Sequence, residues 1–587
     1  MFLDLSRRSM LRPMLLVAAG MCGIAGLIIE YGTFPAPWVL VAARVLNGLA
    51  VGLFLVEQMV SLRQLGTFRH YIKERWPTFS LSVLLVLEIF TLLAGRETTW
   101  LNSTLGYLSM GTVTHAYLII IQIYIVSVFV VQLPHLHKRF ASLHVRPAVA
   151  FMVTFIVLIF MGAGLLLLPR ATPSDLPLSL LDALFTSTSA VCVTGLIVRD
   201  TGSEFTIFGQ TVILVLIQLG GLGIMSLTAA LSLLLGRGIG VRESSLLREV
   251  FQVPMLSAVG RTVRFIILMT VVLEAAGAVG IYLGLEGVIV DRGDRLFTAV
   301  FHAVSAFCNA GFSTFDDSLV SLSRQPLVMG TISGLLVIGG LGFGVVAQLL
   351  AWMKGRALRQ TGRPGRLDLH SRVVLVVSAG LLVVGTATIV LLEWNNSLSG
   401  TGSGMKFAQA FFQSATCRTA GFNSMDLTLM NPATLFLMIV LMFIGGAPGS
   451  TAGGVKVTTV AIIWANLRSI GRGLNRTRLG KRELEAVHVQ RAMLVLSAGL
   501  VLAAISLFIL LATEEKPFLE TAFEVFSALG TVGLSLGMTS VLSPAGRVVI
   551  TILMFVGRLG PLTLASSLTG ASRDPRVRLP RGRILIG

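Results

Sequence analysis

The chain has 587 residues, of which 54% are hydrophobic and 13% are charged, and its mean hydropathy is +0.85. This composition excludes an ordinary soluble globule and predicts an all-α protein that crosses a membrane many times. The net charge of +18 does not indicate nucleic-acid binding, because the basic residues crowd into alternate loops. That asymmetry predicts both termini in the cytoplasm and membrane lipid, not nucleic acid, as a partner.

Residues 1–146 form the first predicted unit, a four-helix transmembrane region. Its apolar runs are Met14–Glu30, Val39–Val60, Phe79–Ala94 and Ala116–Leu133. The first run lacks a small-residue cleavage site, so we interpret it as a span rather than a signal peptide. The region loosely resembles a voltage-sensing domain, but its last run lacks regularly spaced arginines, so we do not expect it to sense voltage. Glu57, within the second run, is expected to pair locally or to lie near the interface.

A short pattern recurs four times in residues 147–587. Each copy ends in a glycine that is followed by Leu or Phe and preceded, ten residues earlier, by a phenylalanine. The pairs are Phe185 with Gly195, Phe301 with Gly311, Phe411 with Gly421, and Phe523 with Gly533. The glycines are 116, 110 and 112 residues apart, which indicates a fourfold internal repeat. The repeats cover about 147–240, 260–355, 372–470 and 488–570, each predicted as outer helix, pore half-helix, filter and inner helix, with a short basic cytosolic tail.

The apolar run before each glycine is too short to cross a bilayer, since a spanning helix needs about 20 apolar residues. These runs are Leu180–Val191, Leu296–Phe307, Lys406–Cys417 and Leu519–Leu529. They predict re-entrant half-helices, each followed by extended backbone that must be buried in protein or line water. Four such segments around one axis stack their carbonyl oxygens into rings that replace the hydration shell of a cation. The predicted filter residues are Val193, Thr194, Gly195, Asn309, Ala310, Gly311, Thr419, Ala420, Gly421, Thr531, Val532 and Gly533.

The third inner helix contains a stretch that cannot form a regular helix. Glycine and proline destabilise a helix by about 1 and 3 kcal/mol per residue, and five glycines and a proline fall within Gly445–Gly454. A broken helix at membrane depth lines a water-filled cavity, so this loop could obstruct ions just inside the filter; a static kink is the alternative. The predicted gating residues are Gly445, Gly446, Pro448, Gly449, Ser450, Thr451, Gly453, Gly454, Lys456 and Arg558.

Other buried polar groups carry separate predictions. Arg558, in the fourth inner helix, costs at least about 2.5 kcal/mol at the centre of a lone helix, so it should face the cavity and donate to backbone carbonyls or to a carboxylate. Arg418, at a filter base, is a comparable case. Glu274, in the second outer helix, needs a partner and is expected to support the pore helices. Cys192 and Cys308 are interpreted as small residues at the filter base rather than as a transition-metal site. The eight histidines are scattered without metal-ligand spacing, so no enzyme and no catalytic residue is predicted.

These residues resemble the Trk/Ktr/HKT superfamily of potassium transporters over about Arg146–Gly570. The resemblance rests on the four filter segments, on Gly446–Lys456, which is similar to the family's intramembrane gating loop, and on Gly557–Leu562, which is similar to its fourth inner helix. It implies a pore subunit that takes up potassium across the bacterial cytoplasmic membrane. In the family, one glycine per filter marks potassium selectivity and serine in the first filter marks sodium preference, so the four glycines here favour potassium over a sodium or nonselective pathway.

The resemblance also implies partners. Bacterial members of the superfamily work as homodimers on a cytosolic ring of nucleotide-binding regulatory subunits, and we expect such a ring here. K⁺ is the expected transported ion, Na⁺ is the candidate coupling or activating ion, and the chain itself is expected to hold no cofactor. The four-helix region at the N-terminus departs from the superfamily pattern, because Ktr-type members lack it and Trk-type members have only two additional helices.

Overall fold

The computed structural model describes residues 147–223, 259–357, 367–474, 476–480 and 482–560, together with scattered positions between 15 and 60. Most of the predicted N-terminal four-helix region and the basic tail therefore lie outside the described residues. Glu57 is buried and interacts with another group. The named secondary-structure elements of the described residues are helices, apart from one short hairpin in which β1 (Arg478–Leu479) pairs antiparallel with β2 (Arg482–Glu483). The all-α prediction is confirmed.

Four repeats of outer helix, pore helix and inner helix follow one another along the chain. The first repeat comprises Pro147–Leu166, Leu180–Val191 and Ile207–Leu222, and the second comprises Val259–Gly284, Arg292–Phe307 and Pro326–Leu341, continued by Phe343–Ala357. The third comprises Leu369–Glu393, Ser403–Thr416 and Pro432–Phe443, continued by Val457–Gly471. The fourth comprises Ala486–Thr513, Phe518–Gly530 and Pro544–Leu559. A 3₁₀ turn at Leu427–Leu429 and a helix at Met538–Val541 complete the described elements.

The outer helices are longer than the pore helices, whereas the inner helices, of 12 to 16 residues, are not. Among the described residues, the outer helices of the last three repeats, Thr262–Gly284, Leu369–Glu393 and Ala486–Thr513, are long and apolar enough to cross a membrane. The four pore helices have 12 to 16 residues and are half-helices, as predicted. The second pore helix begins one turn earlier than its apolar run, because Asp291 caps it by accepting from the Asp294 amide at 2.9 Å.

The second inner helix is also broken, which the sequence analysis did not predict. Pro326–Leu341 and Phe343–Lys354 meet at an angle of 105°, and the residue between them, Gly342, has a φ of +87°. Glycine adopts this left-handed conformation without the steric cost that a side chain imposes. The bend lies against the third repeat, since the Phe343 amide donates to the Gly449 carbonyl at 3.1 Å.

The pore helices bury one phenylalanine each, and the third repeat differs from its predicted register. Phe185, Phe301, Phe412 and Phe523 have no exposed surface, whereas Phe411 is 40% exposed. Phe411, predicted as the equivalent residue because it lies ten positions before its glycine, is thus the wrong choice. The third repeat has one residue fewer between the buried phenylalanine and the glycine.

An equivalent hydrogen bond confirms this shorter spacing. Ser187 Oγ donates to the Ile159 carbonyl of the first outer helix at 2.7 Å. Ser414 Oγ makes the same kind of bond to the Leu382 carbonyl of the third outer helix at 3.1 Å. Each serine lies two residues after the buried phenylalanine, so the third pore helix is equivalent to the first only when Phe412 replaces Phe411.

A buried ion pair closes the fourfold arrangement between the first and last repeats. Asp182, in the first turn of the first pore helix, is only 5% exposed and pairs with Arg547 of the fourth inner helix. We expect Asp182→Asn to lower the free energy of unfolding by roughly 3 kcal/mol, because it leaves a cation without its buried partner. The exposed pair of Arg476 with Glu483 supplies the control, since Glu483→Gln should cost under about 1 kcal/mol. Equal unfolding temperatures for the two detergent-solubilised variants would contradict this role of the ion pair.

Candidate functional site

The four filter glycines lie around a common centre. A Cβ atom added to any of them would overlap the backbone of the next repeat, at a carbonyl oxygen and a glycine Cα. Gly195 faces Ala310 and Gly311, Gly311 faces Ala420 and Gly421, Gly421 faces Val532 and Gly533, and Gly533 faces Thr194 and Gly195. The order closes on itself, so the four segments form one ring.

The carbonyl oxygens of this ring come from the residue that precedes each glycine. At the widest of the four contacts, a Cβ on Gly311 would lie 2.8 Å from the Ala420 oxygen, closer than real side chains approach. Thr194, Ala310, Ala420 and Val532 each place one oxygen against the neighbouring segment in this way. The ring is therefore lined by peptide oxygens that only glycine leaves room for.

Each filter segment alternates in backbone handedness. The four glycines have φ values between +73° and +97°, and the residue two positions before each glycine is also left-handed: Val193, Asn309, Thr419 and Thr531, at +56°, +58°, +69° and +50°. A left-handed residue with a side chain costs roughly 1–2 kcal/mol. Such strain persists where the surrounding structure enforces it, and it clusters at functional sites.

Hydrogen bonds from the pore helices hold the filter in this conformation. The Gly195 amide donates to Ser189 Oγ at 3.0 Å, and the Gly533 amide donates to Ser527 Oγ at 3.1 Å. In the third repeat an alanine, Ala415, stands six residues before the glycine. There the Gly421 amide donates to the Thr416 carbonyl at 3.4 Å instead. The third filter glycine is consequently held by a backbone bond in place of a serine hydroxyl.

Three filter hydroxyls are available for a ligand. The Oγ1 atoms of Thr194, Thr419 and Thr531 are buried and have no hydrogen-bond partner among the described residues. Buried polar atoms are nearly always paired, and oxygen ligands are what a dehydrated alkali cation requires. The carbonyl ring fits a cation without its water shell, and the unpaired hydroxyls lie in the same segments.

The predicted gating loop lies directly inside the filter. A Cβ at Gly453 would overlap Thr531 Oγ1 and would lie 3.0 Å from the Gly530 carbonyl oxygen. At the base of the loop, Ile444 and Val455 form a parallel bridge, with the Gly445 amide donating to the Val455 carbonyl at 2.9 Å. The two ends of the loop are thus paired with each other, and the loop projects from between two helical segments rather than forming a simple kink.

The loop is bonded to the second repeat on one side. The Ala447 amide donates to the Gly340 carbonyl at 3.0 Å, and Thr451 Oγ1 donates to the Phe307 carbonyl at 3.2 Å. Together with the bond from Phe343 to Gly449, these contacts explain why the second inner helix is broken as well. Its bend brings the Gly340 carbonyl and the Phe343 amide, one on each side of Gly342, to the loop.

Arg558 joins the loop to the first and fourth repeats. One guanidinium nitrogen donates to the Thr451 carbonyl, and another donates to the Gly220 carbonyl at 2.6 Å. This confirms the expectation that Arg558 donates to backbone carbonyls. Lys456, which follows the loop, also stabilises it, because its Nζ donates to the Ala452 carbonyl at 2.6 Å.

The remaining buried charges are supporting groups. Glu274 accepts from the Gln218 amide at 3.3 Å, which agrees with a structural partner. Arg418 differs from Arg558, because its contacts lie away from the loop. It donates to Ser378 Oγ on the third outer helix at 3.0 Å and to the Ser378 carbonyl. Within the described residues, no cluster of histidine, cysteine, aspartate or glutamate is arranged to hold a metal ion.

The outer side of the filter carries clustered negative charge. Asp200 and Asp316 follow the first and second filter glycines by five residues, and the Asp200 carboxylate raises the pKa of Asp316. Asp316 lies beside the turn that Asp200 forms, where its Oδ1 would be 3.2 Å from a Cβ at Gly202. The sequence analysis did not predict this pair, although both aspartates lie five residues after a filter glycine.

Comparisons with known proteins agree with this architecture. Residues 115–571 match the TrkH family, described as a cation transport protein. The Ktr system potassium uptake protein B of Bacillus subtilis (strain 168) is 37% identical over 445 residues, which cover 75% of this chain and 97% of that protein. The potassium/sodium uptake protein NtpJ of Enterococcus hirae is 34% identical over 460 residues, covering 77% and 99%. The crystal structure of the potassium transporter TrkH from Vibrio parahaemolyticus shares the fold, with a TM-score of 0.60 at 21% identity over 83% of this chain and 97% of that chain.

Proposed function

Since this chain belongs to the TrkH family of cation transport proteins, we propose that it takes up potassium through the ring formed by its four filter segments. The observation that carries the proposal is the closed order of Gly195, Gly311, Gly421 and Gly533, each packed against a carbonyl oxygen of the next repeat. Such a ring replaces the hydration shell of the ion. The membrane potential supplies about 2.3 kcal/mol per charge per 100 mV, which is enough to drive inward accumulation.

The coordinating groups in this proposal are the predicted filter residues. The carbonyl oxygens of Thr194, Ala310, Ala420 and Val532 form the ring, and the unpaired threonine hydroxyls extend the oxygen lining. The relative from Bacillus subtilis, named a potassium uptake protein, supports potassium as the ion. Glycine in all four filters supports the same choice, because no side chain intrudes on the ring.

The loop Gly445–Gly454 is the proposed gate. It lies against Thr531 on the inner side of the filter, and its contacts come from the second, third and fourth repeats. A loop held by a few hydrogen bonds at membrane depth can take two discrete positions, one across the pathway and one withdrawn. Arg558, which bonds Thr451, is the proposed latch of the position described here.

A cytosolic regulatory ring and a second copy of the chain are the proposed partners. The third inner helix, which carries the gating loop, ends at Gly471 and leads into the basic hairpin. Arg476, Arg478 and Arg482 of this segment are exposed, so a partner that binds the hairpin has a direct mechanical route to the loop. The proposed location is the bacterial cytoplasmic membrane, with both termini in the cytoplasm.

A sodium or nonselective monovalent cation pathway is the alternative function. It is favoured by one finding, the 34% identity to a protein named for both potassium and sodium uptake. The two functions differ in how strongly sodium competes for the filter.

Flux into liposomes tests the proposal. The purified full-length chain is reconstituted, a potassium gradient is imposed, and uptake of rubidium tracer is measured with increasing external Na⁺ or K⁺. We expect K⁺ to inhibit tracer uptake at a concentration at least tenfold lower than Na⁺. Equal inhibition would support the alternative function, and flux no greater than that of empty liposomes would refute both.

A further inference from the structure

One position of the pore helix carries a polar side chain in every repeat. It is the residue directly after the buried phenylalanine: Thr186, His302, Gln413 and Glu524. We name these the brace positions. None of the four residues is more than 1% exposed. The equivalence in the third repeat depends on Phe412 as the buried phenylalanine.

In three repeats the brace residue bonds to the segment that follows the filter glycine. His302 Nε2 lies 3.0 Å from Ser313 Oγ, and Ser424 Oγ donates to Gln413 Oε1 at 3.4 Å. These serines come two and three residues after their glycines. A side chain on the half-helix thus fixes the backbone on the outer side of the ring.

The fourth repeat has the strongest brace. Ser535 Oγ donates to one carboxylate oxygen of Glu524 at 2.8 Å, and Thr539 Oγ1 donates to the other. Both side-chain oxygens of Glu524 are thus bonded, whereas Gln413 bonds through Oε1 alone among the described residues. Since the Gly533 amide is bonded to Ser527 on the same helix, this filter segment is attached both at its glycine and just beyond it.

The first repeat has no such brace. Thr186 Oγ1 is buried without a hydrogen-bond partner in the described part of the chain. Ile197 occupies the position two residues after the glycine, where the second and fourth repeats have a serine. The first repeat therefore provides an internal control for the brace positions.

We propose that the brace positions, Glu524 foremost, hold the carbonyl ring at the size that discriminates K⁺ from Na⁺. The inference rests on the proposed function, because it assigns to Glu524 a positioning role in that filter. A ring of oxygens rejects a smaller ion by fit only while it cannot contract around it. Removing a bond that anchors the outer end of one segment lets that segment move inward, so sodium gains affinity and potassium loses its advantage.

Glu524→Gln tests this role in the full-length chain. The amide keeps the size of the side chain but replaces one acceptor oxygen with a donor, so the hydroxyl of Ser535 or Thr539 that faces it must turn from donor to acceptor and its bond is weakened. We expect discrimination between K⁺ and Na⁺, measured by competition against rubidium uptake in liposomes, to fall at least threefold while rubidium flux remains measurable. Gln413→Leu, which removes one longer bond, should give a smaller change.

Thr186→Val is the matched control at the brace position of the first repeat. It removes a hydroxyl that makes no bond, and we expect the ratio of K⁺ to Na⁺ inhibition to stay within the error of the unmodified chain. A comparable loss of discrimination in Thr186→Val would overturn the proposal, because it would show that any change at this position disturbs the filter.

Ser535→Ala and Thr539→Val remove the same bonds from the other side and keep the proposal testable if Glu524→Gln does not fold. Each should weaken discrimination, and adding either one to Glu524→Gln should produce less than the product of the two separate effects. If the unmodified chain selects potassium and the folded variants keep its ratio, the brace proposal is wrong. If the unmodified chain carries no potassium, the proposed function itself fails.

Discussion

Gly195→Ser is expected to reduce the discrimination of the filter between K⁺ and Na⁺ by tenfold or more. The position has a φ of +89°, which costs a residue with a side chain roughly 1–2 kcal/mol. A Cβ there would also overlap the Ala310 carbonyl oxygen and would lie 3.1 Å from the Gly311 Cα. The neighbouring segment must therefore move. If this movement changes the difference between the binding free energies of K⁺ and Na⁺ by about 1.4 kcal/mol, discrimination changes tenfold.

The measurement is competition by K⁺ and Na⁺ against rubidium uptake in liposomes. Gly400→Ser is the matched control, because Gly400 also has a positive φ, +80°, but has no atom within 4 Å of its Cβ position. It imposes a similar backbone cost without touching the ring. If both variants lost discrimination equally, general destabilisation would explain the effect, and if neither did, Gly195 would not belong to the filter.

The ring could be predicted from the sequence because the same physical constraint occurs in all four repeats. A half-helix too short to cross must be followed by backbone that lies in protein or water, and a glycine at nearly constant spacing marks where four such backbones meet. The outer helices follow from the length of their apolar runs, and the inner helices follow from their place after each filter glycine. For these features, local pattern and overall fold agree.

The register of the third repeat could not be predicted in the same way. Phe411 and Phe412 are adjacent, and only the packed structure shows that Phe412 is the buried residue of the two. The position that aligns with Glu524 was hidden by the same shift, so the brace positions emerge only after that correction. Offsets of one residue are weak evidence in a sequence, because a turn between helix and filter absorbs them without changing the helix count.

The breaks in the inner helices show a second limit. The composition of Gly445–Gly454 alone predicts a break, whereas the bend at Gly342 lies in the same Gly-Gly-Leu-Gly sequence that the first inner helix has at Gly220–Gly223. The bend depends on partners more than 100 residues away in the chain, such as Gly449, that present backbone groups to it. Contacts of this kind are determined by the assembled fold and not by local propensity.

Arg558→Gln is expected to raise potassium flux severalfold while leaving ion discrimination unchanged. The guanidinium holds the Thr451 carbonyl of the loop and the Gly220 carbonyl of the first inner helix at the same time. Glutamine is shorter and uncharged, so it cannot span both, and it loses charge-assisted bonds worth about 1.5–3 kcal/mol each. A loop freed from its latch spends more time out of the pathway. The filter is untouched, because the Arg558 bonds end at Thr451, Gly220 and Gly221.

Comparison with an exposed arginine separates the latch from a general effect of charge. Arg292→Gln changes the first residue of the second pore helix, which is exposed, and it should leave both flux and discrimination as they are. Initial rubidium uptake into liposomes at equal protein density measures the difference. Unchanged flux in Arg558→Gln would mean that the loop does not limit conduction. Increased flux with lost discrimination would mean instead that the arginine supports the filter. A gate and a filter in series determine different quantities, because the loop determines how often the pathway is open and the carbonyl ring determines which ion passes through it.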